Sequence, residues 1–209
     1  MSAARLTVKS IADILIHPKS KVLAVLKEQK YPSADPQKFR TPYYQRAIAA
    51  IRQYYRNAND AKVLAHWRNQ LVSIKNPARR TNNLRALDVF SASSLAKRKL
   101  VPVPNKRYSA SANGIAISLS ADMQATQGGQ LHIVYFHCRA ASLDSAEADM
   151  IANVANWVLR ANGISVSPAQ IEIMDLCAGK SFSATAWHTS TAQLVARRAN
   201  AIAQIWTQI

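Results

Sequence analysis

The sequence predicts an α/β protein in which a basic helical N-terminal half precedes a β-β-α-β-α core. Three observations carry this. Apolar residues recur at helical spacing up to about residue 95; short β-branched and aromatic runs appear from residue 114; and 209 residues at 49% apolar suffice to bury a substantial core. The expected division is a basic helical region over 1–95, a basic Pro-containing linker over 96–110 and the α/β core over 111–209, possible also as one compact domain.

The first half reads as a series of helices. Residues 7–30, "TVKSIADILIHPKSKVLAVLKEQK", carry two short helices separated at Pro18. After the loop "YPSADPQKFRTP", a helix from Tyr43 to about Arg56 places Tyr44, Ala47, Ile48, Ile51 and Tyr55 on one face. Another runs from Asp60 to about Ile74 with Val63, Leu64, Trp67 and Leu71 inward, and "KNPARR" ends it with a proline. Leu84, Leu87 and Val89 support a short helix from Asn82 to Phe90.

The period then changes. "GIAISLS" and "LHIVYFHC" read as two strands of an antiparallel hairpin, with "ADMQATQGGQ" as its turn. Asp144 or Ser145 caps a helix that carries Glu147 and Asp149 in its first turns and stops at Asn162-Gly163. "QIEIMDLCAG" is a further strand, and "STAQLVARRANAIAQIWTQI" closes the chain as an amphipathic helix.

Charge is concentrated in the first half. Residues 1–110 hold 22 Lys+Arg against 5 Asp+Glu, or +17; residues 111–209 hold 5 against 6, or −1, which together give the net +16. Such a surplus attracts polyanions through phosphate contacts and counterion release, so nucleic acid is the expected partner. Two clusters concentrate it: Lys75, Arg79, Arg80 and Arg85 in "KNPARRTNNLR", and Lys97, Arg98, Lys99, Lys106 and Arg107 in "KRKLVPVPNKR". Both read as loops able to track a phosphate backbone, with Asn82 and Asn83 adding hydrogen bonds. Of Tyr43, Tyr44, Tyr54 and Tyr55, interleaved with Arg46, Arg52 and Arg56, helical spacing turns half toward the core and leaves the others as stacking surfaces for exposed bases.

"ISLSADM", an apolar strand ending in Asp122, followed by a turn, a second strand, a helix and a third strand, resembles the PD-(D/E)xK nuclease superfamily, the restriction-endonuclease-like fold, and most closely its RecB or Cas4-type branch. The likeness covers roughly residues 112–180. It implies Asp122 as the first metal-binding acid and puts "YFH" at the place of (D/E)xK, with Tyr135 for the second acid and His137 for the lysine. That departure matters, because Mg²⁺ requires hard oxygen ligands and a tyrosine does not replace a carboxylate. The resemblance therefore implies a core that keeps the fold and lacks catalysis, with Asp122 and His137 as the remnant of the site and no cofactor. The alternative is a divalent-metal nuclease using Mg²⁺ and an acid from elsewhere, such as Asp88 or Glu172. A third possibility is a basic subunit of a larger nucleoprotein assembly, in contact with other protein subunits. DNA is favoured over RNA because the resembled branch mostly handles DNA.

Other chemistry is poorly supported. Cys138 and Cys177 match no metal or disulfide spacing and read as buried reduced thiols. His17, His66, His132, His137 and His188 show no HExxH pattern, and "AGKS" lacks the first glycine of a phosphate loop. No run approaches the length of a membrane span and the N-terminus lacks a secretion signal, so the expectation is a cytoplasmic protein without a membrane partner.

Overall fold

The computed structural model describes residues 4–17, 19–31, 43–138 and 143–209. Pro18, expected to separate two helices, and all but Tyr31 of the loop expected at 31–42 lie outside them. In chain order the elements are β1 (Arg5–Thr7), α1 (Val8–Ile16), α2 (Lys19–Lys30), α3 (Gln45–Arg56), α4 (Ala61–Val72), α5 (Pro77–Ala92), a 3₁₀ turn (Ser94–Lys97), β2 (Val101–Val103), β3 (Tyr108–Ala112), β4 (Ile115–Leu119), β5 (Met123–Gln127), β6 (Gln130–His137), α6 (Ser145–Ala161), a second 3₁₀ turn (Pro168–Gln170), β7 (Ile171–Asp175), β8 (Lys180–Ser183) and α7 (Thr191–Gln208). The chain is mixed α/β, with one sheet ordered β1-β4-β3 and a larger one ordered β2-β5-β6-β7-β8. None of the described helices is long and apolar enough to cross a membrane.

The expected hairpin is re-paired. Residues 123–127, read as part of a polar turn, are themselves the strand β5, antiparallel to β6, with Gln127 opposite Gln130. The reason lies in the turn: Gly128 and Gly129 both have positive φ, 58° and 78°, as a two-residue type I′ turn requires. So tight a turn leaves its immediate neighbours to pair. "IAISL", expected opposite "HIVYF", forms β4 instead and pairs with β3 across a second positive-φ turn, Asn113-Gly114, and in parallel with β1. The strand β1 also interrupts the all-helical expectation for residues 1–95.

Two further expectations change. Pro77 does not end a helix but opens one: Asn76 caps α5, its side chain accepting the Arg79 amide at 2.9 Å, and proline sits in the first turn, where its missing N–H costs nothing. The cluster 75–85 is thus mostly helical, not a loop. Within the expected linker 96–110, residues 101–103 pair with β5 as the edge strand β2, a position that tolerates Pro102 because an edge strand need not donate on its outer side.

The larger sheet separates two apolar cores, because side chains alternate across a strand. Ile133 and Tyr135 of β6 with Ile171 and Ile173 of β7 face α1, α2, α6, α7 and the small sheet. Val134, Phe136 and Met174 face α3 and α5. Both central strands are buried on each side, as β6-α6-β7 crossovers demand. On the second face, Tyr54 and Tyr55 meet the fully buried Phe90 edge-on at 5.7 and 5.6 Å, and their hydroxyls donate to the Ala96 and Leu95 carbonyls. This aromatic cluster fixes α5 against α3. Gly179, with φ 67°, lets the β7–β8 turn approach α5, where an added Cβ would lie 3.1 Å from Ser93 Cβ.

Candidate nucleic-acid interface

The helical layer carries its charge outward. Residues 43–110 contain 14 Lys+Arg and only two acids, Asp60 and Asp88. Asp60 is spent capping α4, and Asp88 is paired with Arg68. Lys75, Arg85, Lys97, Lys99, Lys106 and Arg107 are exposed, Arg79 and Arg80 are half-buried, and no ion pair of these eight side chains occurs among the described residues. Arg98 differs from its neighbours. Its guanidinium turns inward to the Glu172 carboxylate and to Gln127, so it braces the sheet.

Several expected contact residues are likewise committed to the fold. Asn83 is fully buried, taking the Ala47 amide and donating to the Tyr43 and Arg79 carbonyls, which ties α5 to the start of α3. Tyr54 and Tyr55 belong to the aromatic cluster and offer no stacking face. Tyr43, 40% exposed, and the half-buried Tyr44 against it remain at the surface, with the Asn82 amide donating to the Tyr43 hydroxyl at 3.1 Å. Burial pushes the Tyr44 phenol up to about 12, with Cys177 and Cys138 beside it adding to the shift.

Asp122 lies where the chain passes from β4 in the small sheet to β5 in the large one. Its Oδ2 accepts the Phe136 amide of β6 at 2.8 Å and the Lys9 ammonium of α1 at 3.0 Å. Lys9 also donates to the Phe136 carbonyl at 3.3 Å and lies 5.0 Å from the centre of the Tyr135 ring. From the opposite layer the Arg52 guanidinium donates to the Asp122 carbonyl; its own burial lowers its pKa, and the Asp122 carboxylate opposes that. One acid thus sits between two cations of the chain. Neither was apparent from sequence, because Lys9 lies 113 residues away and Arg52 lies 70 away.

Tyr135 flanks Asp122 on the neighbouring strand without a hydrogen bond to it among the described residues. Tyr135 is 2% exposed and its hydroxyl has no partner among the described residues; burial pushes its pKa well above the ordinary phenol value, with Asp122 nearby adding to the rise. His137 is half-buried at the end of β6, opposite Asp175, and lines a cavity of about 360 Å³ with Lys9, Asp13, Glu28 and Glu147. Asp175 is fully buried and accepts the Leu143, Cys177 and Ala178 amides, so its carboxylate shapes the β7–β8 turn.

The two acids considered as recruits are engaged with other partners. Asp88 is on α5 with Arg68, and Glu172 is bound by Arg98, by His132 at 2.9 Å and by Ser181 at 3.0 Å. Among the described residues no group of three or more His, Cys, Asp or Glu is placed to hold a metal ion. The donor set does not fit Mg²⁺: the Asp122 Oδ2 is shared by an amide and an ammonium, and the neighbouring strand supplies a buried phenol where a second hard oxygen anion is needed.

Cys138 and Cys177 are partly buried free thiols at the ends of β6 and β7. Burial pushes Cys138 up to about 12, with Cys177 adding to the shift. Comparison with protein-family models and with curated proteins finds no match to this chain.

Proposed function

We propose that this protein binds nucleic acid, DNA in preference to RNA, through Lys75, the cations Arg79, Arg80 and Arg85 of α5 and the exposed cations of residues 97–107, and that its core is nuclease-like in fold and does not cleave. The observation that carries the reading is the imbalance in residues 43–110, 14 cations against two acids, with both acids already engaged. Net positive charge held on one layer and not neutralised within the chain is what phosphate contacts require. The nuclease likeness is supported by the order β5-β6-α6-β7, antiparallel and then parallel after the helix, which follows the strand, turn, strand, helix, strand order of the resembled superfamily. The preference for DNA rests on that likeness.

Lack of cleavage follows from the Asp122 surroundings. Lys9 and Arg52 already supply positive charge at the acid, so a divalent ion would meet like charge and lose water of hydration for a single carboxylate. The test incubates the protein with labelled single- and double-stranded DNA and RNA, with Mg²⁺ or Mn²⁺, under conditions where binding is seen by anisotropy. Binding that weakens steeply with salt, with every strand left intact, is the expected result. Metal-dependent cleavage abolished by Asp122→Ala would overturn the inactive reading in favour of a nuclease with a rearranged site. No salt-sensitive binding to any of the four would overturn the nucleic-acid reading and leave assembly with other protein subunits as the use of the charge.

A further inference from the structure

On the opposite side of the large sheet from α5, one stripe of α6 breaks the apolar pattern. Asn153, Asn156, Trp157 and Arg160 stand at i, i+3, i+4 and i+7, so they share one helix face. Asparagine is a poor residue for a helix interior and expensive to bury, yet Asn153 is 2% and Asn156 6% exposed.

Asn153 is accounted for by the fold. Its amide donates to the Asp149 carbonyl and carboxylate, and its oxygen takes the His188 amide at 2.7 Å. His188 is paired in turn with Asp149 at 3.2 Å, and its carbonyl accepts the Thr191 hydroxyl. The loop before α7 is thereby pinned to α6. Asn156 is not accounted for: its Oδ1 is buried and no donor among the described residues reaches it.

Asn156 lines a cavity of about 300 Å³, at the small end of the ~300–1,000 Å³ usual for ligand pockets. Trp157 and Trp187, both partly buried, also line it; the Trp187 indole is held by its bond to the Val166 carbonyl at 3.1 Å. Arg160 is exposed beside them, without an ion pair among the described residues. Two indoles suit a flat heteroaromatic ring, a carboxamide pairs one donor and one acceptor with a ring edge, and a free guanidinium suits an anionic tail. A neutral sugar would leave Arg160 unused.

We infer that this cavity is a nucleobase site for an adenine nucleotide, its ring against Trp157 and Trp187, its edge on Asn156 and its phosphate toward Arg160. Adenine is the natural match to an asparagine amide, accepting at N7 and donating from N6. The base belongs either to a free nucleotide or to a nucleic-acid strand. The site shares no residue with the α5 surface, so this inference and the DNA reading stand or fall separately.

The test is a tryptophan-fluorescence titration of the full chain with AMP, GMP, CMP and UMP. Saturable quenching with AMP favoured over GMP by about tenfold is expected, and Trp157→Ala should weaken AMP by about tenfold or more. Asn156→Leu should abolish the preference for AMP while raising the Tm of the free protein, because it removes a buried polar atom without a partner. No saturation at millimolar nucleotide would overturn the proposal, as would unchanged AMP affinity in both variants. A Tm lowered by Asn156→Leu would overturn it too, since the amide would then be a structural contact. Displacement of AMP by a short adenine-containing DNA strand would assign the base to a strand, and its failure would assign a free nucleotide; either supports the site.

Discussion

Replacing Lys75, Arg85, Lys97 and Lys99 together with glutamine should flatten the salt dependence of DNA binding. All four are exposed, and none has an ion pair among the described residues, so substitution leaves no buried acid unpaired. Arg98 is kept, because its guanidinium holds Glu172. If each side chain neutralises one phosphate, the slope of log affinity against log salt should fall by about 0.9 per contact, or roughly 3.6 for four. Over the fourfold range from about 50 to 200 mM salt that slope corresponds to a factor of roughly 150. The wild-type protein should therefore lose about 150-fold more affinity than the variant across that range, measured by anisotropy of a labelled duplex. The loss should be similar for duplexes of unrelated sequence, because phosphate contacts carry no sequence information. Changes at such surface positions leave stability within about 0.5 kcal/mol, so an unchanged unfolding curve separates binding from folding. Arg197→Gln with Arg198→Gln, on α7 across the large sheet, supplies the control for net charge. A slope unchanged in the quadruple variant would refute the assignment, as would a comparable change in the α7 control.

Two further outcomes concern the fold that carries these surfaces. Glu172→Gln should destabilise the protein by about 3–5 kcal/mol in urea unfolding, because it removes the buried anion that Arg98 and His132 share; a loss below about 1 kcal/mol would show the network to be dispensable. Cys138 gives a dependence on alkaline pH. Its thiol is raised from 9.0 to about 12 in the fold, so the unfolded thiol ionises first and stability should fall as pH rises from about 9 to 12, with no contribution to the slope below 9. Cys138→Ala should make that alkaline fall shallower in thermal unfolding against pH, and an identical profile would refute the burial of the thiol.

The sequence by itself determined what depends on near neighbours and on totals. Helical spacing located α1 through α4, α6 and α7, because an amphipathic helix repeats every few residues wherever it later docks. The charge asymmetry needed only counting. It also contained signals that a stricter reading extracts: Asn76-Pro77 is a cap followed by a first-turn proline, and Asn113-Gly114 and Gly128-Gly129 are two adjacent hairpin turns, which together leave β5 as a strand. Two asparagines three apart on the apolar face of α6 marked a polar stripe that periodicity alone would have made hydrophobic. Only the tertiary structure decided which strand pairs with which, and so whether Asp122 ends a hairpin or crosses between sheets. It alone brought Lys9 and Arg52 to that acid, turned Arg98 inward to Glu172, and closed Trp187 over α6 beside Asn156. Those contacts join residues far apart in the chain, and their free energy comes from burial and pairing across layers, which no local pattern of residues records.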